Sequence, residues 1–88
     1  VTVVTTFPGA SPTEVENGLT KPIEEAVSTV DQIKRITAQS FENVSTVQIE
    51  FRQDANADRA VQDVQRRINE WVANLPAGAK TPTVSKYS

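Results

Sequence analysis

Histidine, cysteine and methionine are all missing from the 88 residues of this chain. Zinc, copper, haem and thiol chemistry therefore lose their usual ligands and nucleophiles. The missing cysteines fix no compartment, because a reducing cytosol and a disulfide-free periplasm both permit their absence. Charge of one sign is also lacking. Nine Lys and Arg stand against 11 Asp and Glu, a net −2 with the signs interspersed. A nucleic-acid binder would need a basic face, and none is written here. No apolar run approaches the roughly 18 residues that span a bilayer, and nothing reads as a signal peptide. An initiator methionine is absent too; the chain opens directly on VTVVTTF and closes on another strand-like run. Both ends read as cut, so the expectation is an excised piece of a longer parent. Apolar content of 38% allows one domain with one core, two layers thick.

What is present is periodicity, most clearly in DANADRAVQDVQRRINEWVANLP, residues 54–76. Val61, Val64, Ile68, Val72 and Leu75 recur at steps of three or four, with Trp71 beside them, which predicts one buried helical stripe. Asn56 can cap the start, Asp58 falls in the first turn where the helix dipole favours a carboxylate, and Pro76 and Gly78 prevent continuation. A helix over residues 57–74 would be roughly 27 Å long at 1.5 Å per residue. Asp58, Gln62, Arg66, Asn69 and Ala73 form a second stripe. It spans about 80° of arc, centred about 135° from the apolar one. For an arbitrary helix such a polar seam is usually just a solvated back.

The remaining elements follow in order. Residues 1–7 alternate and are rich in β-branched side chains, as a strand requires. Pro8-Gly9 then makes a turn. Ser11-Pro12-Thr13-Glu14 has the form of a capping box with proline where no N–H is needed. The apolar face Val15, Leu19, Ile23, Ala26, Val27 and Val30 continues the helix, but Pro22 lies inside it. Its ring would collide with the Gly18 carbonyl, so a kink near residues 20–22 and two short helical segments are expected. Residues 32–40 and 44–52 read as strands, joined by Phe41-Glu42-Asn43 with Asn43 able to turn left-handed. In the second, Val47, Ile49 and Phe51 point inward and Thr46, Gln48, Glu50 and Arg52 outward. Residues 81–87 are a weaker strand, placed at a sheet edge by Pro82.

The order β-α-β-β-α-β with right-handed crossovers gives an α+β, ferredoxin-like two-layer sandwich: a four-stranded antiparallel sheet with two helices on one face. The other face would carry Thr2, Val4, Thr6, Arg35, Thr37, Gln39, Thr46, Gln48, Glu50, Thr83, Ser85 and Tyr87. Its hydroxyls and amides suit a wet polar neighbour or a ligand cleft, or equally an ordinary solvated sheet. Known uses of the arrangement leave marks that are missing. An RNA-recognition module needs outward aromatics and positive charge, a metal chaperone paired cysteines, and a small phosphatase an arginine beside a glycine-rich loop. Glu24-Glu25 and Asp54/Asp58 are better read as solubilising charges than as acid–base pairs. No residue is assigned a catalytic role, and no metal or other cofactor is expected.

The run FPGASPTEVENGLTKPIEEAV, residues 7–27, resembles the first porter subdomain of the resistance-nodulation-division (RND) efflux transporters of the hydrophobe/amphiphile, multidrug type. There an aromatic-Pro-Gly turn leads into a helix ending near a Pro-Ile-Glu triplet. The similarity continues through IEF at 49–51, DANADRAVQDVQRRINEW at 54–71, the Leu75-Pro76 stop and the strand at 82–86, so it covers essentially the whole chain. Asn43 departs from the usual glycine, though asparagine can meet the same backbone demand.

The resemblance implies that residues 1–88 are a single porter subdomain in the periplasmic part of a bacterial inner-membrane pump. Proton flow through its membrane bundle would drive export. Three protomers would assemble, with a periplasmic adaptor and an outer-membrane channel as further partners, and small amphiphilic molecules as cargo. Asp58, Gln62, Arg66 and Asn69 correspond to positions facing a central pore, and they are members of the polar seam already obtained from angles. Val4, Thr46, Gln48, Thr83 and Ser85 correspond to positions near the substrate groove. Three Arg66 side chains near one axis would repel, unless Glu70 at i+4 or Asp63 at i−3 absorbs the charge. A free-standing ferredoxin-like protein-interaction or regulatory domain is the alternative, and a small enzyme the third reading. The isolated piece is expected to be a monomer or weak associate.

Overall fold

A computed structural model describes residues 1–86. The chain runs through β1 (Thr2–Thr6), α1 (Pro12–Val15), a π turn (Glu16–Thr20), α2 (Lys21–Val27), β2 (Ile33–Phe41), β3 (Val44–Phe51), α3 (Ala57–Trp71), a 3-10 turn (Val72–Asn74) and β4 (Thr83–Ser85). Each start has a local cause. Ser11 accepts from the Glu14 N–H at 3.2 Å while Glu14 accepts from the Ser11 N–H at 3.1 Å, the reciprocal pair the sequence predicted. Asn56 caps α3 by accepting from the Arg59 N–H at 2.9 Å.

The interruption at Pro22 takes a definite form. With no N–H at 22 to hold the α register, the Lys21 N–H bonds to the carbonyl of Glu16, five residues back. The two expected helical segments are there, with a π turn between them. Gly18 sits inside that turn, where an added Cβ would come within 3.1 Å of Pro76. The absence of a side chain lets the turn close against the end of the α3 segment.

All pairings in the sheet are antiparallel, in the order β2-β3-β1-β4. Several expected boundaries move. Residue 32 does not join β2, because Gln32 has φ 68, which a strand cannot accommodate. Phe41 does join it, pairing with Val44, so the hairpin link shortens to Glu42-Asn43 with Asn43 at φ 69. β4 shrinks to three residues; it is an edge strand, as Pro82 implied, and Tyr87 lies outside the described residues. Asn43 also ties the hairpin to the first turn: its carbonyl accepts from Phe7, its N–H donates to Ala10, and its side chain accepts from the Gly9 N–H.

Both helices pack on one face of the sheet. Val3 and Val47 from the strands meet Val15, Leu19, Ile23, Val27, Val64 and Ile68 from the helices, all fully buried. Each contributes roughly 1.5–3 kcal/mol on full burial. The core turns polar at one end. Ser40 donates to Glu16 at 2.6 Å and lies 2.8 Å from Thr20, which lies 2.8 Å from Ser45. A carboxylate only accepts and each hydroxyl has one proton. The chain therefore runs one way, Ser45 to Thr20 to Ser40 to Glu16, and fastens the π turn to the β2–β3 hairpin.

Candidate functional site

α3 keeps the two flanks that its sequence periodicity marked. Val64 and Ile68 are fully buried against the sheet, with Ala60 beside them, whereas Val61, Trp71, Val72 and Leu75, expected in the same buried stripe, are only half-buried. Asp58, Gln62, Arg66, Asn69 and Ala73 are all exposed. The far side of the helix is thus a polar strip about three turns long with no cover among the described residues. Its last turn tightens to 3-10 over Val72–Asn74, so the α-helix is shorter than the expected 57–74 span while the helical path reaches Asn74.

Charge on this strip is locally compensated. Arg66 Nη2 lies 3.6 Å from Asp63 Oδ1 on its own helix; of the two acids considered for that task, Asp63 at i−3 makes the contact. Gln65 Nε2 donates to Asn69 Oδ1 at 2.9 Å, which orients the amide of Asn69 along the helix. Asp58 Oδ1 accepts from Lys86 Nζ at 2.9 Å. Neither Gln65 nor Lys86 was singled out from the sequence. The Gln65–Asn69 pair has an i,i+4 signal that could have found it. Lys86 had none, since the fold alone brings it across the 28 positions that separate it from Asp58.

The strands' open face is organised in rows. Register places Thr83, Val4, Thr46 and Gln39 in one row across the sheet, and Ser85, Thr2, Gln48 and Thr37 in the next. The five residues expected near a substrate groove, Val4, Thr46, Gln48, Thr83 and Ser85, therefore occupy two adjacent rows of one surface. Val4 is 38% exposed in a hydroxyl-rich setting, and Phe41 at the hairpin end is 49% exposed. Thr2 was expected to be open and is buried instead. It lies on an interior strand, between Gln48 on β3 and Ser85 on β4 in the register.

One end of this face deepens into a cleft of about 490 Å³. Arg35, Thr37, Gln48, Glu50 and Lys86 line it, and it reaches Ala57 at the start of α3. Glu50 is held by Arg35 at 3.4 Å and Lys34 at 3.7 Å, so the cleft carries both signs. No group of three or more acidic residues is placed to hold a metal ion among the described residues. None of the described helices is long and apolar enough to cross a membrane. This geometry can bind and orient a ligand.

Comparison with known proteins gives concordant results. The model of the AcrB/AcrD/AcrF family matches residues 1–88. The swarming motility protein SwrC of Bacillus subtilis (strain 168) is 39% identical over 88 residues, which are 100% of this chain and 8% of that protein. A heavy metal efflux pump solved by X-ray crystallography superimposes with a TM-score of 0.87 at 30% identity, over 96% of this chain and 9% of that one. The chain thus spans less than a tenth of the length of the relatives it matches.

Proposed function

The chain belongs to the AcrB/AcrD/AcrF family, the RND efflux transporters, and from that membership we propose that residues 1–88 are a single porter subdomain of such a pump. In this reading the subdomain stands on the extracytoplasmic side of a bacterial inner membrane. α3 turns Asp58, Gln62, Arg66 and Asn69 to a central pore formed with two further copies. The open sheet face, with Val4, Thr46, Gln48, Thr83 and Ser85, forms one wall of the path taken by cargo. Its role is gating and conduction, with no covalent chemistry. A periplasmic adaptor and an outer-membrane channel would complete the export route.

One observation carries this reading. A helix whose apolar flank is buried keeps an unbroken polar flank exposed along its whole length, and its charges are offset by neighbours on the same chain. Such a strip can meet identical strips around an axis without burying three bare arginines, which would be costly.

Small amphiphilic molecules are the proposed cargo. Hydroxyls and amides with an exposed valine can solvate an amphiphile's polar group and still contact its apolar part. A metal cargo is the second reading, favoured by the heavy metal pump to which the fold is similar. Against it, this stretch offers none of the sulfur or imidazole ligands that soft metal ions prefer.

Cysteine placed at Gln62 of the full-length transporter tests the pore assignment. Under mild oxidation the Gln62→Cys protein should give disulfide-linked protomers, whereas Thr13→Cys, exposed on α1, should not. An assembled trimer that yields no link at position 62 would remove α3 from the axis.

A further inference from the structure

Two strands border this sheet, and they are finished differently. β4 is three residues long and lies between Pro82 and Lys86; a short strand, a proline and a lysine all keep an edge from pairing. β2 is nine residues long and has β3 on one side only. Between Ile36 and Ser40 it holds neither a charged residue nor a proline, and its one register shift falls outside that run.

Register decides which backbone groups of β2 are free. The Ile49 N–H donates to the Val1 carbonyl at 2.7 Å, and the Val1 amine donates to the Ile49 carbonyl at 3.1 Å. Such pairs alternate along an antiparallel strand. Val44, Thr46 and Gln48 therefore turn their groups to β2, opposite Phe41, Gln39 and Thr37. Ile36, Ala38 and Ser40 aim their N–H and C=O groups outward, with no strand beside them among the described residues. The side chains of Ile36 and Ala38 pack on the core and are only half-buried.

Natural sheets blunt the edges that stay open. Here β4 is blunted and β2 is not. We infer that an extended segment of the same polypeptide, outside residues 1–88, lies alongside β2 as a fifth strand. This rests on the reading of these residues as one subdomain of a longer pump; the similar proteins have more than nine-tenths of their length elsewhere. The segment needs about five residues without proline, with an apolar side chain on the side of Ile36 and Ala38. A strand from the same chain is favoured over one from a second copy. Pairing β2 with β2 creates a two-fold axis, which a ring of three protomers lacks, and a tethered strand meets the edge at high effective concentration.

Amide hydrogen exchange in the full-length transporter, resolved residue by residue, reads this edge directly. The N–H groups of Ile36, Ala38 and Ser40 should exchange within about tenfold of those of Thr37, Gln39 and Phe41, which face β3. Free exchange at 36, 38 and 40 beside slow exchange at 37, 39 and 41 overturns the inference. A photo-cross-linking amino acid in place of Gln39, exposed next to the edge, identifies the neighbour. It should join a residue of the same polypeptide outside 1–88; a link to a second protomer, to another protein or to nothing overturns the inference. In a transporter whose Gln62→Cys protein cross-links, free exchange at the edge sinks the fifth strand alone. Slow exchange with no link at position 62 removes the pore reading and leaves the fifth strand standing.

Discussion

At Asn43 the backbone stands at φ 69, a conformation in which most side chains are strained. Glycine would adopt this conformation without strain. Asn43 adds something glycine cannot, because its side-chain oxygen accepts from the Gly9 N–H at 2.8 Å. Two effects are thus separable at one position. Asn43→Ala loses the bond and keeps the strain, and should lower the unfolding free energy by about 1.5–3 kcal/mol. Asn43→Gly loses the bond but relieves the strain, and should cost only about 0.5–1.5 kcal/mol. Urea unfolding of the two variants checks the order; a glycine variant less stable than the alanine one would contradict it.

Among the elements, the π turn is where sequence and structure part. Pro22 announces that the α pattern must fail, and the two helical segments on either side were legible from it. The kind of failure was not legible. It depends on the Lys21 N–H reaching Glu16 within the turn and on the Thr20 hydroxyl meeting Ser40 and Ser45, which lie on two other elements. Thr20 is 1% exposed and Ser45 fully buried, so each hydroxyl depends on the other. Thr20→Val has nearly the same shape and should cost about 1–3 kcal/mol by leaving Ser40 and Ser45 short of a partner. Thr13→Val, exposed on α1, should change stability by less than about 0.5 kcal/mol; equal losses in thermal melts of the two would show that the buried chain contributes nothing particular.

The long helix and β3 were legible for the opposite reason. Val64, Ile68, Val47 and Ile49 recur at the period of their own element, and burial follows that period without help from elsewhere. The same periodicity placed Asp58, Gln62, Arg66 and Asn69 on a shared exposed flank. Gln32 gave no warning of its positive φ, because glutamine has no local preference for it. The burial of Thr2 was equally silent, since it depends on β1 lying between β3 and β4, which no local pattern shows. Lys86 shows the general limit: no local pattern tells a chain which distant residue a side chain will meet.

For the whole molecule, the described residues measure about 40 × 21 × 19 Å, a slim body with a polar helix on one side and a polar sheet on the other. Neither surface presents the broad apolar core that holds obligate oligomers together. The isolated 88-residue chain should therefore sediment as a monomer, with weak self-association that grows with concentration. A stable trimer at micromolar concentration would mean that the α3 strips associate far more strongly than their amides and compensated charges imply.

The order β2-β3-β1-β4 has one more consequence. β2 is nine residues long and has a neighbour on one side only. From Ile36 to Ser40 its outer border carries no charge and no proline, and the sole irregularity lies at the far end, between Ile33 and Arg35. Backbone donors and acceptors there stand ready for any extended segment that comes alongside. On its own, the molecule is like fabric with one unhemmed border. It should fray and snag along that margin first, and whoever handles it alone will meet stickiness there before anywhere else.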